Sequence, residues 1–220
     1  MIVILCVFFL SVITQVSALT DREQAQIKKI QHFYGVRAGK RAVAWRNVID
    51  SSASLPTQQK LIHINNFFNQ FKFVDDISLW GKADYWATPQ EFVGAGAGDC
   101  EDFSIAKYMA LRAAGVPDAK LRLIYVKALN LDQFHMVVAY YPTPSSVPEI
   151  LDNLDGTIKL ATQRKDLLPI YSFNGSKLWL MKQQGRGQLA GKASRLSLWN
   201  NLRHRSQKTT LHRPRINFDE

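Results

Sequence analysis

One cysteine in this chain sits where a nucleophile could be made. Cys100 lies in Gly94-Ala95-Gly96-Ala97-Gly98-Asp99-Cys100-Glu101-Asp102-Phe103, where a glycine-rich loop runs into a helix. The attacking species is the thiolate, and unpaired N–H groups at a helix start favour an anion. Asp99 reads as the N-cap and Asp102 as its box-like partner. Phe103, Ala106, Met109, Ala110 and Ala113 supply an apolar face that runs to the stop Gly115-Val116-Pro117. The glycines before the cysteine are expected to let backbone approach a substrate.

Cys6, the other cysteine, lies in the apolar run Met1–Ile13, followed by Val16-Ser17-Ala18. That run is too short to cross a bilayer, and the small residues resemble a cleavage site, so residues 1–18 read as a signal peptide. Its removal leaves Cys100 as a lone thiol in an exported protein. An unpaired thiol in an oxidising compartment is a liability unless it is used.

Asp99, Glu101 and Asp102 crowd that thiol. Like charge raises a thiol's pKa, so an active thiolate here requires something to cancel them. Clustered hard oxygens suit Ca²⁺, which would reverse the local field. Solvated acids at a helix start are the plainer reading, and no EF-hand loop is present.

A base and an orienting group are also needed. Among the histidines, His135 lies in a strand-like run, Phe134–Tyr141, where alternation sets it on one face with Val137 and Ala139. Asp152 ends the short apolar run Glu149–Asp152, before an Asp155-Gly156 turn, where it either orients His135 or serves the turn.

The elements that must hold these residues change texture along the chain. Thr20-Asp21-Arg22-Glu23 is a capping box whose helix ends near Gly35. A second helix covers about 40–51, and a third follows Pro56 with Leu61, Ile64, Phe67, Phe68 and Phe71 as core. Thr88-Pro89-Gln90-Glu91 opens another helical turn before the glycine loop. Strands are expected at 121–127, 134–141, 149–152, 157–160 and 176–181. A helical N-terminal half packed on an antiparallel sheet is an α+β domain, and 220 residues suffice for one.

Charge is uneven. The chain carries a net +10, of which residues 167–220 contribute 10 basic against 2 acidic side chains. From Gln183 on, the sequence is Gly-, Ser-, Gln- and Arg-rich with one small apolar cluster, Leu196, Leu198, Trp199 and Leu202. This predicts a proteinase domain over 19–182 and a mobile basic tail over 183–220, able to touch anionic lipid or an acidic partner. Nucleic acid is disfavoured by the export signal.

Gly98-Asp99-Cys100-Glu101-Asp102, with His135 thirty-five positions on and Asp152 seventeen further, resembles the bacterial transglutaminase-like cysteine proteinases, in particular those of the periplasm that process adhesins. Trp86-Ala87-Thr88-Pro89, Ile150-Leu151-Asp152-Asn153 and Leu168-Pro169-Ile170-Tyr171-Ser172-Phe173-Asn174 extend the likeness over about 19–181. The resemblance implies a papain-like or transglutaminase-like core, with Cys100 as nucleophile, His135 as general base and acid, and Asp152 as its orienting carboxylate. It further implies Ca²⁺ bound by Asp99, Glu101 and Asp102. The expected substrate is a large surface adhesin, cut near its N-terminus between two alanines so that cells leave a biofilm. The expected regulator is an inner-membrane receptor for cyclic di-GMP. A second oxyanion donor is left unassigned: Trp86 and Gln90, just upstream, are candidates, against core packing for Trp86 and solvent for Gln90. The competing classes are transglutaminase-like acyl transfer, cell-wall amide hydrolysis, and a non-enzymatic calcium-dependent binding module.

Overall fold

The computed structural model describes residues 19–181 and 187–219; the predicted signal peptide lies outside the described residues. The chain begins with α1 (Asp21–Tyr34), opened by the reciprocal Thr20/Glu23 capping box and closed at Gly35. Next come α2 (Val36–Ala53) and α3 (Thr57–Phe68), then β1 (Lys72–Phe73), α4 (Asp76–Leu79), α5 (Pro89–Ala95), β2 (Ala97–Gly98) and α6 (Cys100–Ala113). The strands β3 (Leu121–Ala128), β4 (Gln133–Tyr140), β5 (Glu149–Leu151), β6 (Lys159–Leu160), β7 (Leu167–Phe173), β8 (Lys177–Leu180) and β9 (Gln188–Lys192) follow, and α7 (Ser197–Lys208) is the last helix. The fold is α+β, as the change of texture predicts.

All seven long-sheet strands pair antiparallel in the order β6-β5-β4-β3-β7-β8-β9. Strand β7, next to the centre, escapes the sequence reading because Pro169 interrupts its pattern. The structure accommodates that proline where the β3–β7 register shifts, between Tyr125 and Val126.

The helices cover one sheet face. Leu61, Ile64 and Phe68 of α3 are fully buried there with Phe92, Phe103, Met136 and Val138, while Phe67 and Phe71 are partly buried against them. Burying one such ring contributes about 1.5–3 kcal/mol. The predicted one-sided apolar face of α6 needs correcting. Phe103 through Tyr108 are all buried and Ala113 is exposed, because α6 is enclosed by α3, α5 and the sheet rather than laid on a surface.

The predicted mobile tail is also corrected. Strand β9 pairs with β8 across Leu178–Gly191, and α7 buries Trp199 and Leu202 completely. Trp199 meets Phe173 and Tyr108 edge to face, with centroids 5.3 and 6.0 Å apart. The small apolar cluster, read as an isolated feature, is the face of a docked helix, and residues 187–219 belong to the domain.

Candidate active site and calcium centre

The nucleophile's position is set by two consecutive helix boundaries. A second capping box, Thr88/Glu91, starts α5, and Gly96 ends it with a left-handed φ of 74°. Two residues of β2 then lead to Asp99, which occupies the N-cap position of α6 in extended conformation but makes no side-chain capping bond. The loop glycines serve internal packing. A Cβ on Gly98 would lie 2.4 Å from Asp102 Oδ2, and one on Gly94 would lie 2.3 Å from the Tyr34 ring. Gly98 therefore lets the Asp102 carboxylate fold beneath the loop.

Cys100 is half-buried, and its thiol donates to Glu101 Oε2 at 2.6 Å. Burial, then the Glu101 and Asp99 charges, push the thiol pKa well above its usual value, against a smaller downward pull from the Met136 backbone N–H. Met136 adjoins His135 on β4, so this strand reaches the sulfur. Ser104, one turn into α6, fastens helix to strand by donating to the Met136 carbonyl at 2.8 Å.

His135 and Asp152 are brought together. His135 is buried, with Nε2 2.7 Å from Asp152 Oδ1, which leaves Nδ1 as the ring nitrogen not facing the carboxylate. Asp152 Oδ1 also accepts from the Leu154 N–H at 3.0 Å, and Oδ2 accepts from Arg164 Nη2 at 2.7 Å. Burial alone would raise this carboxyl; the His135 hydrogen bond and charge, the Leu154 N–H and Arg164 outweigh it and hold the pKa at about 2. Lys107, buried two turns along α6 from Cys100, feels the same carboxylate; burial brings its pKa down to about 7, with Asp152 acting in the opposite sense. Neither Arg164 nor Lys107 was found by sequence reasoning, because each acts through partners remote in sequence.

The three acids around the thiol are joined by two more. Oxygens of Asp76, Asp99 and Asp102 lie within 4.8 Å of one another, and so do those of Asp76, Asp84 and Glu101. Asp76 opens α4, and Asp84 precedes the Trp86 motif; the pair Asp75-Asp76 was the available sequence signal. Tyr85 N–H donates to Asp76, and Ala87 N–H donates to Asp102 Oδ1 at 2.7 Å, tying the 76–87 loop to α6. Desolvation pushes Asp76 up to about 7. Desolvation with the Asp102 and Glu101 charges pushes Asp99 to about 11, and burial with Asp76 carries Asp102 well above the carboxylate range.

Asp76 Oδ1, Asp99 Oδ1 and Asp102 Oδ2 are buried with no hydrogen-bond partner among the described residues. Converging, unpartnered carboxylate oxygens are the donor set of Ca²⁺, whereas Mg²⁺ retains waters in a tighter octahedron. The residues present fit that ion.

Of the two candidate oxyanion donors, Trp86 is otherwise engaged: its indole N–H reaches Asp84, and its ring stacks on Phe173 at 5.7 Å. Gln90 Oε1 is buried without a partner among the described residues. Beside the acids, Phe134, Tyr125 and Tyr171 stack across β4, β3 and β7, with centroids 5.3 and 5.1 Å apart. Burial raises the Tyr125 pKa, followed by the Glu101, Asp84 and Cys100 charges, so Tyr125 lies within electrostatic reach of the nucleophile.

Three solved structures of LapG from Legionella pneumophila resemble this fold closely. The EGTA-treated form is 42% identical with a TM-score of 0.74, covering 83% of this chain and 96% of that one. A second form is 42% identical with a TM-score of 0.73 over the same shares. The calcium-bound form is 44% identical with a TM-score of 0.72, covering 83% of this chain and 98% of that one. No match was found among curated proteins. The family model for bacterial transglutaminase-like cysteine proteinases matches residues 40–184, and the chain belongs to that family.

Proposed function

We propose that this proteinase is a Ca²⁺-dependent endopeptidase of the periplasm, with Cys100 as nucleophile, His135 as general base and acid, and Asp152 as the group that orients His135. The observation that carries this reading is the arrangement of β4: His135 is held at 2.7 Å by Asp152 while the neighbouring Met136 N–H faces the Cys100 sulfur. The Asp152 carboxylate fixes the ring and stabilises the imidazolium formed when the thiol is deprotonated. The thiolate then attacks the scissile carbonyl, and the Cys100 backbone N–H, in the first turn of α6 where helices leave donors without intrahelical partners, donates to the developing oxyanion. His135 protonates the departing amine, and water releases the acyl group from the thioester.

Asp76, Asp84, Asp99, Glu101 and Asp102 would hold the calcium ion, whose charge, when bound, offsets the acids that otherwise keep the thiol protonated. Phe134, which precedes His135 on β4 and stacks on Tyr125, is 58% exposed and available to an extended substrate.

The substrate is a large surface adhesin, cut near its N-terminus between two alanines. An inner-membrane cyclic di-GMP receptor withholds the enzyme from it. Both assignments are supported by the extended likeness to LapG. Incubating the purified protein with an adhesin N-terminal fragment, with and without chelator, tests the reading. A single Ala–Ala cut that requires Ca²⁺ supports it, and transfer to an added amine in place of hydrolysis overturns it.

A further inference from the structure

The sheet face turned away from the helices carries a second, smaller apolar cluster that includes Ile124, Val126, Val137 and Ile150. These residues floor a cavity of about 420 Å³, walled by Leu167 and Met181, which Cys100 and His135 do not line. The volume falls in the range of small-molecule sites, roughly 300–1,000 Å³.

The lining is mostly apolar, with Ser145, Ser146 and Thr162 also on its wall, and two of its polar side chains carry buried, unmatched donors. Arg164 is 5% exposed, and its Nε and Nη2 are taken by Asp152 and Asp166 at 2.7–3.0 Å, yet its Nη1 is buried with no partner among the described residues. Tyr141 is 7% exposed, and its hydroxyl is likewise buried and unpartnered among them. A guanidinium N–H can only donate, and a phenol readily does. Buried donors left unmatched are costly, so the cavity calls for an occupant that brings an acceptor. The charge of that acceptor is also constrained. Arg164 already faces two carboxylates, which disfavours a further anion, while two donors and a cation disfavour an ammonium.

We propose that this cavity is a binding site for a neutral aliphatic acyl compound. Its carbonyl oxygen accepts from Arg164 Nη1 and Tyr141 Oη, and its chain lies on Ile124, Val137, Ile150 and Leu167. The site is distinct from the substrate cleft, but the same guanidinium serves both, since Arg164 Nη2 holds the carboxylate that orients His135.

Calorimetric titration of the purified protein in Ca²⁺ with octanamide is the test, with octanoate and octylamine as head-group controls on the same chain. Saturable binding of octanamide is expected, with octanoate weaker and octylamine at least about tenfold weaker. Tyr141→Phe removes one donor and should weaken octanamide by roughly three- to tenfold. Ala161→Phe, which fills the cavity from its rim, should abolish binding while cleavage of the adhesin fragment continues. Absence of saturable heat with octanamide, equal affinity for octylamine, or unchanged affinity in both variants would each overturn the site.

Discussion

At the scale of single residues, the site pairs a discouraged thiol with an encouraged carboxylate. Cys100→Ala should abolish cleavage while leaving the melting temperature within a few degrees of the parent, because the half-buried sulfur contributes chemistry more than packing. Turnover near the parent rate would remove Cys100 from the mechanism. Asp152 offers a pH test. Its folded pKa, about 2, lies below the unfolded value of 3.8, so the native state binds fewer protons. The resulting stabilisation is complete above pH 4 and is lost as pH falls through 2, amounting to on the order of 2 kcal/mol. The stability gap between the parent and Asp152→Asn should therefore shrink as urea melts are moved from pH 5 towards pH 2; a constant gap would show that the charge is not what Asp152 contributes. Chelation should stop proteolysis, and added Ca²⁺ should restore it where Mg²⁺ does not. Asp76→Asn should raise the Ca²⁺ concentration needed for half-activity by about tenfold or more. An unchanged calcium requirement would place the ion elsewhere.

Among the elements, those built by local rules were legible and those built by distant ones were not. Both capping boxes could be read directly, since an N-cap hydroxyl and a glutamate three residues on satisfy each other within one turn. Cys100, His135 and Asp152 could be chosen from residue type and strand endings, yet the 2.7 Å contact between the last two depends on β4 and β5 being sheet neighbours. Strand β7 was hidden by Pro169, and α6 was read as amphipathic because its enclosure comes from elements on every side. Asp76 and Asp84 were missed for the same reason: what makes them candidate ligands is a loop folding back onto α6. One element-scale prediction follows from that loop. Gly98→Ala sets a Cβ 2.4 Å from Asp102 Oδ2, so it should displace that carboxylate and weaken Ca²⁺ binding by at least about tenfold, measured calorimetrically. Normal calcium affinity would mean that Asp102 has room to move.

Across the whole molecule, the C-terminal segment acts as a clasp. Arg205 of α7 pairs with fully buried Glu91 and donates to the Trp86 carbonyl; His212 Nδ1 lies 2.7 Å from Glu91, and the Arg215 N–H reaches the Leu79 carbonyl at 2.7 Å. Glu91 is the capping residue of α5, and Leu79 and Trp86 bracket the loop that carries Asp84. Arg205→Ala would leave Glu91 charged, buried and short of its strongest partner, at a cost of about 3–5 kcal/mol. Deleting residues 197–219 should abolish cleavage of a soluble fragment, through exposure of the Trp199 contact surface and loss of the clasp. A truncated protein that cuts at the parent rate would mean that the clasp is dispensable.

The clasp also gives the enzyme a clock. A chain made from its N-terminus delivers Cys100 and the acidic loop more than a hundred residues before Arg205 and His212. Until those late residues arrive, Glu91 lacks the Arg205 counter-charge and the His212 hydrogen bond, and the acidic loop lacks its outer wall. A chain still being made therefore lacks the contacts that close the loop, and cutting power should appear only once its last helix has docked.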